Sequence, residues 1–186
     1  GAMAAQSRNR IVDDEGRDVP RGEVGEIIAR GPNIFKGYWR RQEDTAEAFR
    51  GGWFHTGDLG RVDEDGYYVI VDRKKDMVLV SGYNVYPVEI ENVLLRHPKV
   101  IDAAVFGVPS DYQGESVKAA VVLRPGATAS EDEIKAFCRE RLASFKVPRF
   151  VEFQASLPRN PAGKLLKREL RAQSEPAPAA ESLTPG

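Results

Sequence analysis

The 186-residue sequence has a single cysteine, only two histidines and no run of 18 apolar residues. One cysteine cannot form an internal disulfide, and such sparse use is typical of proteins in reducing compartments. Without a long apolar run, no membrane-spanning helix is predicted, and no signal peptide is recognised at the start. We therefore expect a cytoplasmic protein.

An excess of charge of either sign is also missing. The 27 Lys and Arg residues nearly balance the 28 Asp and Glu residues, and the net charge of -1 indicates no class of partner. The length suits one medium or two small domains. The lone thiol, Cys138, follows Phe137 on the apolar side of a predicted helix. With few histidines available as bases, we interpret Cys138 as a core residue rather than a nucleophile.

The first part of the chain, residues 4–72, predicts strands and turns around one helix. Val24–Arg30 has the composition of a strand, and Gln42–Phe49 has helical spacing. Leu59–Val62 and Tyr67–Val71 flank an Asp-Glu-Asp-Gly sequence that predicts a hairpin. These segments contain too few apolar residues to close a core alone, so we expect a β-rich piece of a larger domain.

The second part, residues 77–171, predicts an α+β domain whose short, mostly antiparallel sheet is covered by helices. The predicted strands are Met77–Val80, Val100–Gly107, Val117–Leu123 and Phe150–Phe153, and the predicted helices are Pro87–Arg96, Glu131–Ala143 and Leu165–Leu170. A capping box, Ser130-x-x-Glu133, precedes the middle helix. Residues 172–186 are rich in Pro, Ala, Ser and Glu and are predicted to be disordered. Residues 1–3 are typical of a cloning scar.

The two parts meet in the stretch Asp72–Glu91, DRKKDMVLVSGYNVYPVEIE. The charged residues 73–76 are unsuited to a core and predict an exposed hinge where backbone torsions can change. A Ser81-Gly82 pair follows an apolar run, and glycine there permits a turn or a close approach to a ligand. Pro87 then begins a helix.

Two other stretches carry residues suited to ligand contacts. In Thr56-Gly57-Asp58 a carboxylate follows a glycine and can accept hydrogen bonds from sugar hydroxyls, although alone this tripeptide is more often an ordinary turn. In LPRNPAGK, residues 157–164, two prolines and a glycine stiffen a loop that ends at Lys164. An ammonium held there suits phosphate or carboxylate oxygens, although an isolated exposed lysine is more often a solvated charge.

Taken together, the stretches GWFHTGDLG, DRKKDMVLVSGYNVYPVEIE and LPRNPAGKLLK resemble the C-terminal portion of acyl-CoA synthetases in the adenylate-forming superfamily. The resemblance covers Val24 to Arg171, with three motifs in matching order and spacing. It implies that residues 4–72 end a large N-terminal AMP-binding domain and that residues 77–171 are a mobile C-terminal domain. The family's phosphate-binding loop and acyl pocket are not found in the sequence. We therefore expect a fragment that does not adenylate alone.

For the adenylation step, the resemblance implies three contacts with ATP and the acid. Asp58 and Arg73 would contact the ribose, and Lys164 would reach the carboxylate and α-phosphate oxygens. A carboxylic acid, expected to be a fatty acid, would attack the α-phosphate to give acyl-AMP and pyrophosphate. Mg²⁺ would accompany ATP and be held mainly by the N-terminal domain, and no metal ligands are predicted in this sequence.

For the second step, transfer of the acyl group to CoA, the resemblance implies a rotation about Lys75. Ser81 and Gly82 would then line the tunnel for the pantetheine arm of CoA. Asn84 is a further candidate, because related ligases are polar at that position. Leu79 stands where plant coumarate ligases have a lysine, so no contact is carried over to it.

Two alternatives stay open. A fatty acyl-AMP ligase or a peptide-synthetase adenylation domain would share these motifs but deliver the acyl group to a carrier protein. An interaction or RNA-binding module would instead use lysines such as Lys164 and Lys167. The balanced charge and the lack of a basic, aromatic-rich strand argue against nucleic acid. The expected partners are the carboxylic acid, ATP, CoA and the N-terminal domain of the same enzyme.

Overall fold

The computed structural model describes residues 7–110, 112 and 114–174. The chain divides into two compact units between Lys75 and Asp76, inside the segment predicted to be a hinge. The predicted cloning scar and residues 175–186 of the predicted disordered tail lie outside the described residues. No helix in the described part is long and apolar enough to cross a membrane.

The first unit is built on a five-stranded antiparallel sheet with one short helix. Its elements are β1 (Arg8–Val12), β2 (Gly25–Arg30), α1 (Gln42–Ala48), β3 (Phe49–Arg50), β4 (Trp53–Val62) and β5 (Tyr68–Arg73). The sheet order is β1-β2-β4-β3, and β5 pairs with the later half of β4. The predicted hairpin is confirmed, because β4 and β5 are antiparallel neighbours.

Strands β1 and β3 were not predicted from the sequence. The first, RNRIV, has three polar residues before its two buried apolar residues, so its alternation is weak. It is a strand because its backbone pairs with all but the first residue of β2. Buried side chains of this unit include Ile11, Val12, Ile28 and Leu59, a small set that suits part of a larger domain.

The second unit is the predicted α+β domain. Its elements are β6 (Val78–Val80), β7 (Tyr83–Val85), α2 (Pro87–Leu94), β8 (Val100–Ser110), β9 (Gly114–Leu123), α3 (Glu131–Arg139), β10 (Phe150–Phe153) and α4 (Lys167–Ser174). The sheet order is β10-β9-β6-β7, and β8 also pairs with β9. Every pairing is antiparallel except that of β9 with β10, so the mostly antiparallel sheet is confirmed.

Side chains of the central strands alternate between two separate cores. Val105 and Val121 pack on one face with α2 and α3, in a core that includes Ile90, Ile134 and the fully buried Cys138. Phe106, next along β8, packs on the other face with Ala104, Ala120, Leu157 and Leu170 of α4. The interpretation of Cys138 as a core residue is therefore confirmed, and burial raises the pKa of its thiol to about 11.

Several predicted boundaries were wrong. The short strand β7 was missed because Tyr83–Val85 follows the turn directly and is only three residues long. The last helix begins at Lys167 rather than Leu165 and continues to Ser174, so Ala172–Ser174 are helical and not disordered. Leu170 of this helix is buried and Arg171 lies 3.4 Å from Asp76, while the Ser174 hydroxyl donates to the Leu170 carbonyl at 2.8 Å, so the helix is anchored up to its last residue.

The capping box before α3 is formed only in half. The Ser130 hydroxyl accepts a hydrogen bond from the Glu133 amide at 3.1 Å. The Glu133 carboxylate does not return to Ser130 but pairs with Lys99 at 2.7 Å. The helix start was thus predicted correctly, while the partner of Glu133 comes from the turn before β8, which is distant in sequence.

Candidate functional site

The stretch Thr56-Gly57-Asp58 forms a bulge in β4. One residue of β2, Ile27, lies opposite these three residues, so the regular pairing is interrupted. The Thr56 hydroxyl donates to the Ile27 carbonyl at 2.7 Å and accepts from the Asp58 amide at 3.1 Å. Gly57 adopts a φ of +71°, which favours glycine. Bulges re-aim side chains at functional sites, and this one takes residues 56–58 out of the pairing with β2.

The structure brings Asp58 and Arg73 together. The two residues are register partners across β4 and β5, and the Arg73 guanidinium donates to the Asp58 carboxylate. Their side chains are 25% and 49% exposed, so both are accessible to a ligand. The two residues predicted to contact one ribose therefore lie side by side. Their contact with the ribose stays a prediction.

A cleft of about 640 Å³ opens beside the bulge. Among the described residues its charged lining comprises Arg41, Arg50, Arg73, Lys74, Lys75, Glu26, Asp44 and Glu47. Cations exceed carboxylates in this lining, which suits a ligand that carries negative charge. His55, Thr56 and Gly57 form the wall contributed by β4.

Lys164 lies at the end of a compact turn, residues 160–164. The Asn160 side chain accepts from the Lys164 amide at 2.8 Å, and the Asn160 carbonyl accepts from the Gly163 amide at 2.8 Å. Gly163 adopts a φ of +81°. Arg159 braces the turn by donating to the Gly163 carbonyl and to Asp102 of β8. The backbone of Lys164 is therefore fixed while its side chain is exposed.

Ser81 and Gly82 form the two-residue turn between β6 and β7. Their φ values are +49° and +84°, and Val80 pairs with Tyr83 across the turn. Two successive positive φ values are the mark of a type I′ hairpin, whose twist matches the strands. Positive φ is uncommon for serine, and such residues often lie at functional sites. Asn84 is exposed on β7 and pairs with Leu79.

A second cleft, of about 340 Å³, lies next to this turn. Its lining comprises Val80, Ser81, Tyr83, Ser116, Val117, Ser144, Phe145, Val147 and Arg149. The rings of Tyr83 and Phe145 stack with centroids 4.7 Å apart. The Ser116 hydroxyl is buried and has no hydrogen-bond partner within the described part of the chain. An aromatic pair, a cation and a buried hydroxyl together suit a polar ligand with a flat ring.

The Lys164 turn and the second cleft belong to opposite faces of the same sheet. Leu165, next to Lys164, packs against the core that contains Phe106. Val80, Phe145 and other cleft residues pack in or against the core that contains Val105. The two predicted sites of the second unit therefore cannot face one point at the same time.

The residues on either side of Lys75 are anchored in different units. Lys74 pairs with Glu26 and Asp14 of the first unit, at 3.1 and 2.7 Å. Asp76 pairs with Arg171 of the second unit. No ion pair or side-chain hydrogen bond of Lys75 is found among the residues that the structure describes. This arrangement suits a pivot at Lys75, which remains a prediction.

Comparison with known proteins gives the family. Residues 89–164 match the model of the AMP-binding enzyme C-terminal domain, and residues 1–39 match that of the AMP-binding enzyme. The chain belongs to the adenylate-forming, AMP-binding enzymes. The resemblance recognised from the three sequence motifs is thus confirmed.

Relatives within the adenylate-forming enzymes include two curated ligases. The chain is 46% identical over 174 residues to a long-chain-fatty-acid–CoA ligase of Escherichia coli O6:H1, covering 94% of this chain and 31% of that protein. It is 51% identical over 162 residues to a feruloyl-CoA synthase of Amycolatopsis, covering 87% of this chain and 33% of the relative. The chain therefore spans about a third of the length of the curated relatives it matches, as expected for a fragment.

A solved adenylate-forming structure has the same fold. An ATP-bound MatB from Rhodopseudomonas palustris superposes with a TM-score of 0.85 at 46% identity, covering 90% of this chain and 34% of that one. The fold of this AMP-binding fragment is thus shared over nearly its whole length.

Sequence reasoning missed two buried polar residues of the site. Glu26 contacts the bulge through the Gly57 amide, and Ser116 lines the second cleft. Neither lies in a motif: Glu26 occupies a predicted strand, and Ser116 precedes one. A charged residue within a predicted strand, here Glu26 between Gly25 and Ile27, was the one weak sign of a paired carboxylate, since charged residues are seldom fully buried unless paired.

Proposed function

We propose that this chain is the C-terminal part of an ATP-dependent acid–CoA ligase. The enzyme activates a carboxylic acid as acyl-AMP and transfers the acyl group to the thiol of CoA. The observation that carries the proposal is the placement of Lys164 and the Ser81-Gly82 turn on opposite faces of one small sheet, beyond a segment anchored on both sides. Two faces on one pivoting unit suit two successive reactions.

In adenylation, one carboxylate oxygen of the acid attacks the α-phosphorus, and the bond from phosphorus to the pyrophosphate oxygen breaks. In the transition state, negative charge shifts from the attacking carboxylate onto the oxygens of the α-phosphate and the leaving pyrophosphate, and the exposed ammonium of Lys164 stabilises the charge on the α-phosphate. Asp58 accepts from the ribose hydroxyls, and Arg73 holds Asp58 in place while contacting the same sugar. The fixed backbone of the turn limits the entropy lost when Lys164 engages.

Mg²⁺ accompanies ATP and neutralises charge on its phosphates when bound. No group of three or more His, Cys, Asp or Glu side chains within the described residues is placed to hold a metal ion. As the family resemblance implies, we assign its protein ligands mainly to the N-terminal domain of the enzyme. The steps given to Lys164, Asp58 and Arg73 do not depend on that assignment.

In thioester formation, rotation about Lys75 withdraws Lys164 and presents the Ser81-Gly82 turn. The sulfur of CoA attacks the acyl carbon, and AMP leaves. An added Cβ on Gly82 would meet no atom within 4 Å, so this backbone is open to a narrow ligand arm. The adjacent cleft, with stacked Tyr83 and Phe145 beside Arg149, supports a nucleotide-bearing acceptor such as CoA over a carrier protein.

We propose a fatty acid as the acid because the curated relatives of E. coli, Salmonella, Yersinia and Bacillus subtilis are named long-chain-fatty-acid–CoA ligases. The acyl pocket is not recognised in this chain, so its residues do not identify the acid. A panel of fatty acids and aromatic acids offered to the full-length enzyme, with ATP–pyrophosphate exchange measured for each, tests the choice. Exchange with aromatic acids only would contradict the fatty-acid assignment.

The proposed function is tested by measuring the two half-reactions of the full-length enzyme separately. Lys75→Pro fixes φ near -65° and should impair thioester formation more than adenylation. Gly82→Leu should do the same, by about tenfold or more, because its side chain obstructs the arm of CoA. Gly126→Leu is the matched control, since Gly126 has a φ of +77° and equally open surroundings in a turn outside the cleft. Equal losses in both half-reactions would contradict the proposal.

A further inference from the structure

Glu26 is a buried charged residue at the centre of four interactions. It is 4% exposed, at the start of β2. One carboxylate oxygen lies 3.1 Å from Lys74 Nζ and 3.1 Å from His55 Nδ1, with Arg50 at 3.7 Å. The other oxygen accepts from the Gly57 amide at 3.3 Å. Each contact reaches a residue at least 24 positions away in sequence (from Glu26 to Arg50).

These partners keep Glu26 ionised. Burial alone would raise the pKa of its carboxyl, but hydrogen bonds from His55 and Lys74 outweigh burial and hold the pKa below its usual range. Burial likewise favours a lower pKa for Lys74, and its hydrogen bonds to Asp14 and Glu26 raise that pKa instead. A buried ion pair adds little net stability compared with apolar packing, so its presence calls for another reason.

We infer that Glu26 is a positioning residue for the nucleotide-contacting bulge, fixing Gly57 through one oxygen and tethering Lys74, the residue before the proposed pivot, through the other. Its position in β2, next to the residue opposite the bulge, makes this possible, because the interrupted pairing leaves the Gly57 amide without a partner in β2. Only the statement that the bulge contacts ATP rests on the proposed function. The tether itself does not.

Two substitutions separate the two halves of this role. Glu26→Gln keeps an oxygen that can accept from the Gly57 amide but loses the charge that holds Lys74. Glu26→Ala loses both. In the full-length enzyme, we expect the Gly57 amide to be protected from hydrogen exchange in the wild type, nearly as well in Glu26→Gln, and at least tenfold less in Glu26→Ala. Unchanged protection in Glu26→Ala would overturn the inference.

In the full-length enzyme, the same variants should raise the KM for ATP more than they lower kcat. We expect the KM for ATP to rise a few-fold for Glu26→Gln and about tenfold for Glu26→Ala, because a displaced bulge no longer orients its contact with ATP. Ile28→Val is the control, since Ile28 is a similarly buried residue two positions along the same strand. If Ile28→Val, at equal loss of Tm, raised the KM for ATP as much, Glu26 would be only structural.

The two measurements also keep this inference separate from the proposed function. If the wild-type enzyme supported no ATP–pyrophosphate exchange with any acid, the proposed function would fail, and hydrogen exchange at the Gly57 amide would still decide whether Glu26 holds the bulge. If ATP–pyrophosphate exchange occurred and the variants left the KM for ATP unchanged, the positioning role would be overturned while the proposed function stood.

Discussion

The bulge at residues 56–58 and the turn at residues 160–164 both hold a residue assigned to adenylation, yet they are built in opposite ways. The bulge depends on partners distant in sequence: Glu26, Ile27 and Arg73. The turn is closed mainly by its own Asn160, which bonds the Gly163 and Lys164 amides through its carbonyl and side chain. The bulge is therefore held by the surrounding sheet, whereas the turn is held largely by its own five residues.

Within the residues that the structure describes, the same turn occurs twice more. Asp13–Arg17 and Asp63–Tyr67 also place a side-chain oxygen on the amide four residues later and end their loop with a glycine of positive φ. The chain therefore uses a standard hairpin turn to present Lys164, and what distinguishes it is the lysine rather than the backbone. A local design of this kind can move as a body without being rebuilt, which suits a contact that must be made and withdrawn.

The largest effect is expected for Lys164→Ala in the full-length enzyme. Adenylation should fall about 10²-fold or more, since one preorganised electrostatic contact with the transition state is lost. Thioester formation from supplied acyl-adenylate should be nearly unchanged, and so should Tm, because the turn does not use the side chain. Lys164→Arg should also be slow, because a planar fork does not replace a compact ammonium.

Lys135→Ala serves as the control for Lys164→Ala. It removes a lysine from the same unit whose partner is Glu131 one helical turn away. Separate rates for the two half-reactions should then be close to those of the wild type. Wild-type adenylation in Lys164→Ala would show that the turn is not part of the adenylation site.

A smaller effect should distinguish the bulge from the turn: a Glu26 substitution should be energetically coupled to Gly57 in the bulge and not to Gly163 in the turn. Gly57→Ala and Gly163→Ala impose the same strain of about 1–2 kcal/mol, because both glycines have positive φ and open surroundings. Combined with Glu26→Ala, Gly57→Ala should be non-additive in kcat/KM for ATP, since both act on one bulge. Gly163→Ala and Glu26→Ala should add within about 0.5 kcal/mol. Equal coupling in the two double-mutant cycles would erase the proposed difference between the sites.

The contrast also explains what could be predicted from the sequence. Asn160-Pro-Ala-Gly163 carries its turn chemistry within itself, so the stiff loop before Lys164 was recognised directly. The α+β class followed from periodicity, since Val105 and Phe106 belong to a long apolar strand. Glu26 could not be assigned, because its function depends on the pairing of β2 with β4, and pairing is set by tertiary contacts.

The smallest effect concerns acid, which should loosen the bulge and spare the turn. The pKa of Glu26 is lowered in the folded chain, so its contribution to stability is complete above the unfolded value, about 4.3, and is lost as the pH falls through the lower folded value. Asn160 does not titrate. Between pH 6 and pH 3, amide protection at Gly57 should therefore fall slightly, to the level expected for Glu26→Gln, while protection at Lys164 stays unchanged.

Asn160→Asp turns that difference into a controlled test. The carboxylate should accept from the Lys164 amide as Asp13 accepts from Arg17, whose backbone hydrogen bond is the main cause of the lowered pKa of Asp13. The turn should then keep its shape at neutral pH and lose protection in acid, and the same is expected of the turn at Asp13. Adenylation should fall only a few-fold, because the new negative charge competes with the substrate for the lysine. If Lys164 lost protection in acid equally with Asn160 in place, the turn would not be held by its own side chain, and the contrast with the bulge would be wrong.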